Sequence, residues 1–280
     1  MFLTLEECSS AWKAAGQHGS KEDRIARNAR WISFYNYAAN AQAGDINGPD
    51  AHSIQIAQIL KEADVFCKGS SLLDVGCGTG GYSLAFSQLG ASVTALDMEA
   101  ATLDVLRQRA QANNCDIQTV QAMWEEYEPE ASFDTVFSSM CPAICDYEEL
   151  LRFESMAKDY CCLIAVTRGS YDLHRKRLMK ELDVRPSGGM TTEALWYFNM
   201  LYLMGRQPEV RHFTRHFEYR QPIESAVERN KVYFEIFGLS PQESEPKLRR
   251  YFERNVQDGL IRDESHINTA LIWWKVPPKP

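Results

Sequence analysis

The chain has 280 residues, of which 45% are hydrophobic and 24% charged, a composition that is ordinary for a globular protein. A net charge of −8 and a pI near 5.4 disfavour capture of DNA or RNA, and no apolar run approaches the length of a membrane span. We therefore expect a small-molecule substrate, with neither nucleic acid nor membrane as partner; the oligomeric state stays open. The acidic start, Met1 to Glu7, lacks the basic residues of a signal peptide and favours a cytoplasmic location.

Two helices are predicted before the most informative part of the chain. Ser20 and Asp23 form a capping box that opens a helix running to about residue 39. One stripe of this helix holds Trp31, Phe34, Tyr35 and Ala38. Glycine, asparagine and proline then break the chain before a second helix, roughly Asp50 to Asp64. We assign residues 1–66 to an N-terminal helical cap and residues 67–280 to the main domain.

A glycine-rich turn follows a short apolar strand in the stretch from Leu72 to Gly81, which reads Leu-Leu-Asp-Val-Gly-Cys-Gly-Thr-Gly-Gly. Glycines at 76, 78 and 80 remove side chains where a strand turns into a helix, so that backbone amides can approach a ligand. The spacing of Gly76, Gly78 and Gly81 also fits dinucleotide-binding folds. Asp74 distinguishes a site for an amine-bearing ligand from a dinucleotide-binding site, because a carboxylate favours an amine and repels a pyrophosphate.

An acidic residue ends the next predicted strand, Val93 to Leu96. Asp97 lies 21 positions after Gly76, where a carboxylate can accept both ribose hydroxyls of an adenosine moiety. Because the same carboxylate serves nicotinamide dinucleotides, Asp97 indicates adenosine binding without choosing the cofactor.

The stretch Leu72 to Gly81 resembles motif I of the class I S-adenosylmethionine-dependent methyltransferases. The resemblance implies an α/β fold with a doubly wound, mostly parallel seven-stranded sheet, a Rossmann-like fold with N-terminal helices. It also implies S-adenosyl-L-methionine as cofactor and S-adenosyl-L-homocysteine as product. Methyl transfer from a sulfonium is an in-line displacement, so no particular catalytic triad is required.

The alternation of short apolar runs with helical patterns predicts a parallel sheet whose ligand lies beyond the carboxyl ends of the strands. The predicted strands are 72–75, 93–96, 117–120, 133–137 and 161–166. Helices are predicted near 80–89, 99–113 and 146–158.

After residue 167 the composition changes. We predict a charged helical segment from Arg168 to Leu182, an apolar helix from Thr192 to Met204 and helices near 223–237 and 245–255. By the resemblance, residues 210–219 and 266–276 are the antiparallel sixth and seventh strands, with a helical insertion at about 222–258. The basic stretch from Arg206 to Arg220 is either an exposed edge strand with solvated charges or an anion-binding patch.

The resemblance assigns the methionine end of the cofactor to Asp74 and the glycines, and the ribose to Asp97. Met98, Met123 and Trp124 would flank the adenine, although many relatives have an aspartate where this chain has Met123. The full predicted cofactor set is Asp74, Gly76, Cys77, Gly78, Gly80, Asp97, Met98, Met123, Trp124, Ser138 and Ser139. No catalytic residue is assigned; the weak candidates are Cys141, Tyr35 and Tyr37, the two tyrosines as part of a substrate pocket.

Cys141 admits three interpretations. It is a small residue of the pocket wall, a thiolate nucleophile, or, with Cys145, a ligand for a soft metal or arsenic species. The eight cysteines contain no C-x-x-C pair, so we expect reduced thiols and no metal site.

Two functional hypotheses remain open at this point. The first is a small-molecule methyltransferase. The second is a nucleotide-binding protein without methyl transfer, either a nicotinamide oxidoreductase or a cofactor-sensing module. Asp74 favours the first, and the lack of a Tyr-x-x-x-Lys element weakens the second.

Overall fold

A computed structural model describes residues 4–15, 31, 34, 37, 46–184 and 192–278. Its helices are α1 (Leu5–Ala15), α2 (Ala51–Glu62), α3 (Gly81–Gln88), α4 (Ala100–Ala112), α5 (Tyr147–Ser155), α6 (Arg175–Glu181), α7 (Ala194–Leu203), α8 (Ile223–Glu235) and α9 (Pro241–Glu253). Its strands are β1 (Ser71–Val75), β2 (Ser92–Asp97), β3 (Ile117–Gln121), β4 (Phe133–Ser139), β5 (Ala157–Val166), β6 (Tyr171–Asp172), β7 (Glu209–Gln221) and β8 (Ile261–Lys275). A 3-10 turn covers Trp124–Glu126.

The strands form one sheet in the order β3-β2-β1-β4-β5-β8, with β7 on the outer edge of β8. Strands β1 to β5 are parallel, whereas β8 runs antiparallel to both β5 and β7. The two-residue β6 pairs with β8 beyond the end of β5. The predicted α/β fold with a mostly parallel, seven-stranded methyltransferase-like sheet is confirmed, and β6 is a small addition to it.

Successive side chains of the strands enter two separate cores, because a strand alternates its faces. Leu73 and Val75 face a cluster that contains Trp12 of α1, whereas Leu72 faces a cluster that contains Ile56 of α2. Helices α2 and α3 therefore cover one face of the sheet, and α1, α5 and α7 cover the other. This arrangement leaves the turns after β1, β2 and β4 together at one edge.

Helices α6, α8 and α9 share a third core with Ile261 at the start of β8. Ser240 and Glu243 form a capping box at the start of α9, with Pro241 as its first residue, so this helix begins earlier than predicted. The predicted helix from Arg168 to Leu182 is wrong over its first half. Residues 171–172 pair with β8 instead, and the helix begins at Arg175.

Helix α1 was not predicted from the sequence, although Trp12 is fully buried and stacks against Trp196 of α7. Most of the predicted helix over residues 20–39 lies outside the described residues, as does the candidate Tyr35. Trp31, Phe34 and Tyr37 are helical, and the ring of Phe34 packs edge-on against Tyr233 of α8.

In the described part of the chain, no helix is long and apolar enough to cross a bilayer. The division into a cap and a main domain stays a prediction.

Candidate functional site

A cavity of about 720 Å³ opens at the carboxyl edge of the sheet, within the size range of small-molecule sites. Its walls are the glycine turn after β1, the segment leading into α2, the first turn of α3, and single side chains from more distant elements. Those single side chains are Arg109 of α4, Ser139 of β4 and Arg215 of β7. The cavity therefore lies where the parallel-sheet pattern predicts a ligand.

The three glycines of the turn all have positive φ, but for different physical reasons. A β-carbon at Gly76 would lie 2.6 Å from Cys141 Sγ, and one at Gly80 would lie 2.1 Å from Leu106 Cδ1. A β-carbon at Gly78 would meet nothing within 4 Å. Gly76 and Gly80 thus permit close packing within the protein, whereas Gly78 presents bare backbone to open space, as a ligand cradle requires.

Asp97 ends β2 and binds the glycine turn directly. Its Oδ2 accepts a hydrogen bond of 2.8 Å from the Gly78 N–H, and its Oδ1 accepts one of 2.9 Å from the Glu99 N–H. Burial raises the pKa of this carboxyl, and the two N–H donors oppose that rise. Each oxygen keeps a lone pair, so the half-buried carboxylate can still accept hydroxyl groups from a ligand.

Asp74 lines the cavity but is only 2% exposed. Its Oδ2 accepts a 2.5 Å hydrogen bond from Ser83 Oγ of α3. Burial raises the pKa of Asp74 to about 7, with the neighbouring Asp97 acting in the same direction. The Asp74 carboxyl is therefore close to its protonation midpoint at neutral pH, and an ammonium group brought near it would favour the ionised form.

Arg109 connects two walls of the cavity. The sequence did not predict it as a site residue. The side chain is buried on the inner face of α4, where it donates to the carbonyls of Asn47, Gly48 and Thr79 at 3.0, 2.9 and 2.9 Å. It thus fixes the glycine turn to the segment that enters α2. The sequence does indicate that Arg109 is buried, because Arg109 continues the buried stripe formed by Thr102, Leu106 and Ala110 at helical spacing.

The two serines that end β4 face opposite ways. Ser138 is buried and donates to the Val75 carbonyl at 2.9 Å, so its hydroxyl ties β4 to β1 and does not line the cavity. Ser139 does line the cavity, beside the phenol of Tyr82. The hydroxyl groups of Ser139 and Tyr82 are not aligned for a hydrogen bond, so Ser139 Oγ has no hydrogen-bond partner in the described structure. Burial raises the pKa of Tyr82 to about 12, so the phenol is a donor at neutral pH.

The structure does not bring the three predicted adenine-flanking residues together at the cavity. Met98 and Met123 are partly buried beyond the ends of β2 and β3 and are not among the side chains that line it. Trp124 is only 5% exposed, and its Nε1 donates to Glu149 Oε2 at 2.6 Å. The Trp124 indole packs into the core beside Phe153, and its place beside the adenine stays a prediction.

Cys141 follows Met140, whose backbone has φ of 51°, a left-handed conformation that is unusual for methionine. This turn packs the Cys141 thiol against Gly76. Burial raises the pKa of Cys141 to about 12, which keeps the thiol protonated at neutral pH and supports the pocket-wall interpretation. Cys77 lines the cavity, and burial likewise raises its pKa well above the ordinary value. None of the eight cysteines forms a disulfide, and no described cluster of three or more histidine, cysteine or acidic side chains could hold a metal.

The basic stretch from Arg206 to Arg220 divides into residues with different roles. Arg206 makes two hydrogen bonds, of 2.9 and 2.6 Å, to the buried carboxylate of Glu154. Arg211 and Arg220 are exposed on the edge strand β7, as the first interpretation expected. Arg215 instead reaches the cavity and donates to Asp50 Oδ2 at 2.8 Å.

Comparison with known proteins supplies the family. Residues 72–158, which contain the glycine turn and Asp97, match the methyltransferase domain family. The chain carries a methyltransferase domain. The predicted family is confirmed, and the oxidoreductase or sensor hypothesis is not favoured. The methyltransferase domain begins with β1 and ends with the first residues of β5.

Three relatives illustrate how far the likeness extends. A malonyl-[acyl-carrier protein] O-methyltransferase of Serratia marcescens is 41% identical over 80 residues, 28% of this chain and 29% of that protein. An uncharacterized protein of Haemophilus influenzae is 24% identical over 235 residues, 82% of this chain and 84% of that protein. Ribosomal RNA small subunit methyltransferase G of Methylobacillus flagellatus is 31% identical over 138 residues, 48% of this chain and 64% of that protein. The Serratia and Methylobacillus proteins are thus matched over less than two thirds of their length.

Coclaurine N-methyltransferase bound to N-methylheliamine and S-adenosylhomocysteine is 14% identical, covers 95% of both chains and has a TM-score of 0.44.

Proposed function

We propose that this protein transfers a methyl group from S-adenosylmethionine to a small-molecule acceptor by in-line displacement. The observation that carries the proposal is the bond between Gly78 and Asp97, because it joins the open glycine to the acid at the end of β2. This pairing of bare backbone with a carboxylate suits an adenosine-bearing cofactor. The methyltransferase domain match supports the same choice.

The residues in and beside the cavity fit the proposed cofactor; Asp97 does not line the cavity itself but is bonded to the lining residue Gly78. Gly78 has open space where a side chain would lie, and Asp97 has lone pairs left for the ribose hydroxyls. Asp74 lies beside the turn, where an ammonium group would favour its ionised form. When bound, the cofactor supplies an electrophilic methyl group on a sulfonium, so the protein has chiefly to align donor and acceptor.

The polar groups near Ser139 can position an acceptor. Tyr82 and Ser139 line the cavity, and the raised pKa of Tyr82 keeps its phenol a hydrogen-bond donor. Cys141 forms part of the wall behind Gly76. We further propose that the insertion after residue 222 and Tyr37 close the acceptor side. The Phe34–Tyr233 contact, which joins the N-terminal helical segment to α8, supports this proposal. A cytoplasmic location stays a prediction.

Calorimetry on the purified protein tests the proposal. S-adenosylhomocysteine should bind with a dissociation constant of about micromolar strength, which corresponds to about −8 kcal/mol, and NAD should not bind measurably. Tight NAD binding without any response to S-adenosylhomocysteine would refute the methyltransferase proposal. Incubation of the protein with methyl-labelled S-adenosylmethionine and a metabolite extract, followed by mass spectrometry, then identifies the acceptor.

A further inference from the structure

Arg215 holds an unusual position in the cavity. Its strand, β7, lies at the outer edge of the sheet, and β4, β5 and β8 separate it from β1. Four strand spacings correspond to about 19 Å. The backbone of Arg215 therefore lies far from β1, and its side chain extends to Asp50 at the start of α2. If the glycine turn holds the cofactor, the β7 side of the cavity is the acceptor side, so the inference rests on the proposed function.

The Arg215 guanidinium is held in place, but most of its N–H donors make no hydrogen bond in the described structure. It has five N–H donors, and in the described residues its one hydrogen bond is to Asp50 Oδ2 at 2.8 Å. Its Cζ lies 5.0 Å from the centre of the Phe217 ring, a contact that orients the fork. The remaining donors can bind an oxyanion in two-pronged geometry without displacing Phe217.

The other charged groups of the cavity are already engaged. Asp50 caps α2 by accepting from the Ser53 N–H at 2.7 Å. Although burial acts in the opposite direction, the bonds from Ser53 and the charge of Arg215 hold the pKa of Asp50 below its ordinary value. The guanidinium of Arg109 is bound by three backbone carbonyls. Of the two arginines that line the cavity in the described structure, Arg215 thus keeps the greater number of unused donors, since Arg109 also approaches Thr79 Oγ1 at 3.5 Å.

The surroundings of Arg215 favour an anion as well. Tyr82 and Ser139 line the same cavity and carry no charge that would repel an anion. His52 packs against the rings of both Tyr82 and Phe213. Burial, together with the nearby Arg215, lowers the pKa of His52, so the imidazole is neutral at neutral pH and does not compete for the anion. We propose that Arg215 is the anion-binding residue of the acceptor subsite, and that the methyl acceptor is a small molecule bearing a carboxylate.

The test uses the full chain saturated with S-adenosylhomocysteine and titrated with benzoate and succinate. Benzamide and succinamide serve as uncharged controls. At least one acid should bind the wild type, and Arg215→Gln should weaken that binding about tenfold or more, because a charge-assisted bond is lost. Arg211→Gln is the matched control, since Arg211 is exposed on the same strand and does not line the cavity. This control should bind the acid as the wild type does.

Asp50→Asn separates anion binding from a purely structural ion pair. Asparagine still caps α2, so the variant removes the charge pair while retaining the helix start. The proposal requires that this variant bind the acid at least as well as the wild type, because Arg215 is freed. Equal losses in Asp50→Asn and Arg215→Gln would show that the ion pair itself matters and would overturn the anion subsite.

Cofactor titrations distinguish this inference from the proposed function. Wild-type protein that fails to bind S-adenosylhomocysteine refutes the methyltransferase proposal. Binding of S-adenosylhomocysteine without any response to either acid refutes the acceptor carboxylate. If Arg215→Gln weakens S-adenosylhomocysteine but not 5′-methylthioadenosine, which lacks the amino-acid group, then Arg215 serves the cofactor carboxylate and the acceptor assignment is wrong.

Discussion

The Sγ atom of Cys141 occupies the space that a side chain at residue 76 would need, 2.6 Å from the position of a β-carbon on Gly76. The loop after β4 and the glycine turn after β1 are therefore packed in direct contact. This contact explains why position 76 must be glycine, and it places the thiol behind the glycine turn and not among the side chains that line the cavity.

Alanine at the glycines should separate packing from ligand binding. Gly76→Ala should lower the free energy of unfolding by about 1–2 kcal/mol for its left-handed φ alone, and further because of the clash with Cys141. Gly78→Ala should lose stability only because alanine disfavours a positive φ, yet its methyl group projects into the open space where the ligand would bind. Thermal unfolding and calorimetry with S-adenosylhomocysteine should show Gly78→Ala as the more stable variant that nevertheless has lost binding. Retained binding by Gly78→Ala would contradict the ligand-facing role of this glycine.

Cys141 should behave as an inert wall residue. Because burial raises its pKa to about 12, iodoacetamide at neutral pH should alkylate it far more slowly than the exposed Cys67, as measured by mass spectrometry. Cys141→Ser should leave the affinity for S-adenosylhomocysteine unchanged and reduce turnover of an identified substrate by less than about tenfold. A folded but inactive Cys141→Ser protein would instead make thiol chemistry part of the mechanism.

Asp97 should contribute to both cofactor binding and the order of the glycine turn. Replacement by alanine should weaken cofactor binding by about 1.5–3 kcal/mol, the scale for hydrogen bonds to a charged group. The bonds to Gly78 and Glu99 add a stability loss that the sequence alone did not predict. Calorimetry and chemical unfolding measure the two effects separately. An alanine variant that binds S-adenosylhomocysteine as the wild type does would exclude Asp97 from the ribose site.

The raised pKa of Asp74 predicts a pH-dependent stability. Its folded pKa of about 7 lies above the ordinary value of 3.8, so between about pH 4 and pH 7 the unfolded chain releases a proton that the folded protein keeps. Stability must therefore fall as the pH rises through this window. Because Asp97 shifts in the same direction, the informative quantity is the difference between wild type and Asp74→Asn, measured by urea unfolding without cofactor. The wild type should lose stability relative to Asp74→Asn across the window; parallel pH profiles would contradict the raised pKa.

The sequence predicted the sheet well because its signals are local. Predicted strands of four or five residues bounded by glycine and polar turns placed β1 to β4 within about two residues of their observed ends. The sequence could not predict where the side chains of Ser138, Trp124 and Arg215 lie, because their directions depend on how distant elements pack. Ser138 turns inward to Val75, and Trp124 turns into the core toward Glu149. No one-dimensional pattern joins Arg215 to Asp50, which is 165 positions away.

Arg109 provides the sharpest test of this long-range assembly. Lysine keeps the charge but cannot donate to the carbonyls of Asn47, Gly48 and Thr79 from one planar group. Arg109→Lys should therefore lower the free energy of unfolding by about 1.5–3 kcal/mol and weaken S-adenosylhomocysteine about tenfold, because the glycine turn loses its anchor. Arg107→Lys is the matched control on the same helix, since Arg107 is exposed and pairs with Asp104. If both lysine variants bind S-adenosylhomocysteine equally well, the clamp between α4 and the glycine turn does not position the cofactor.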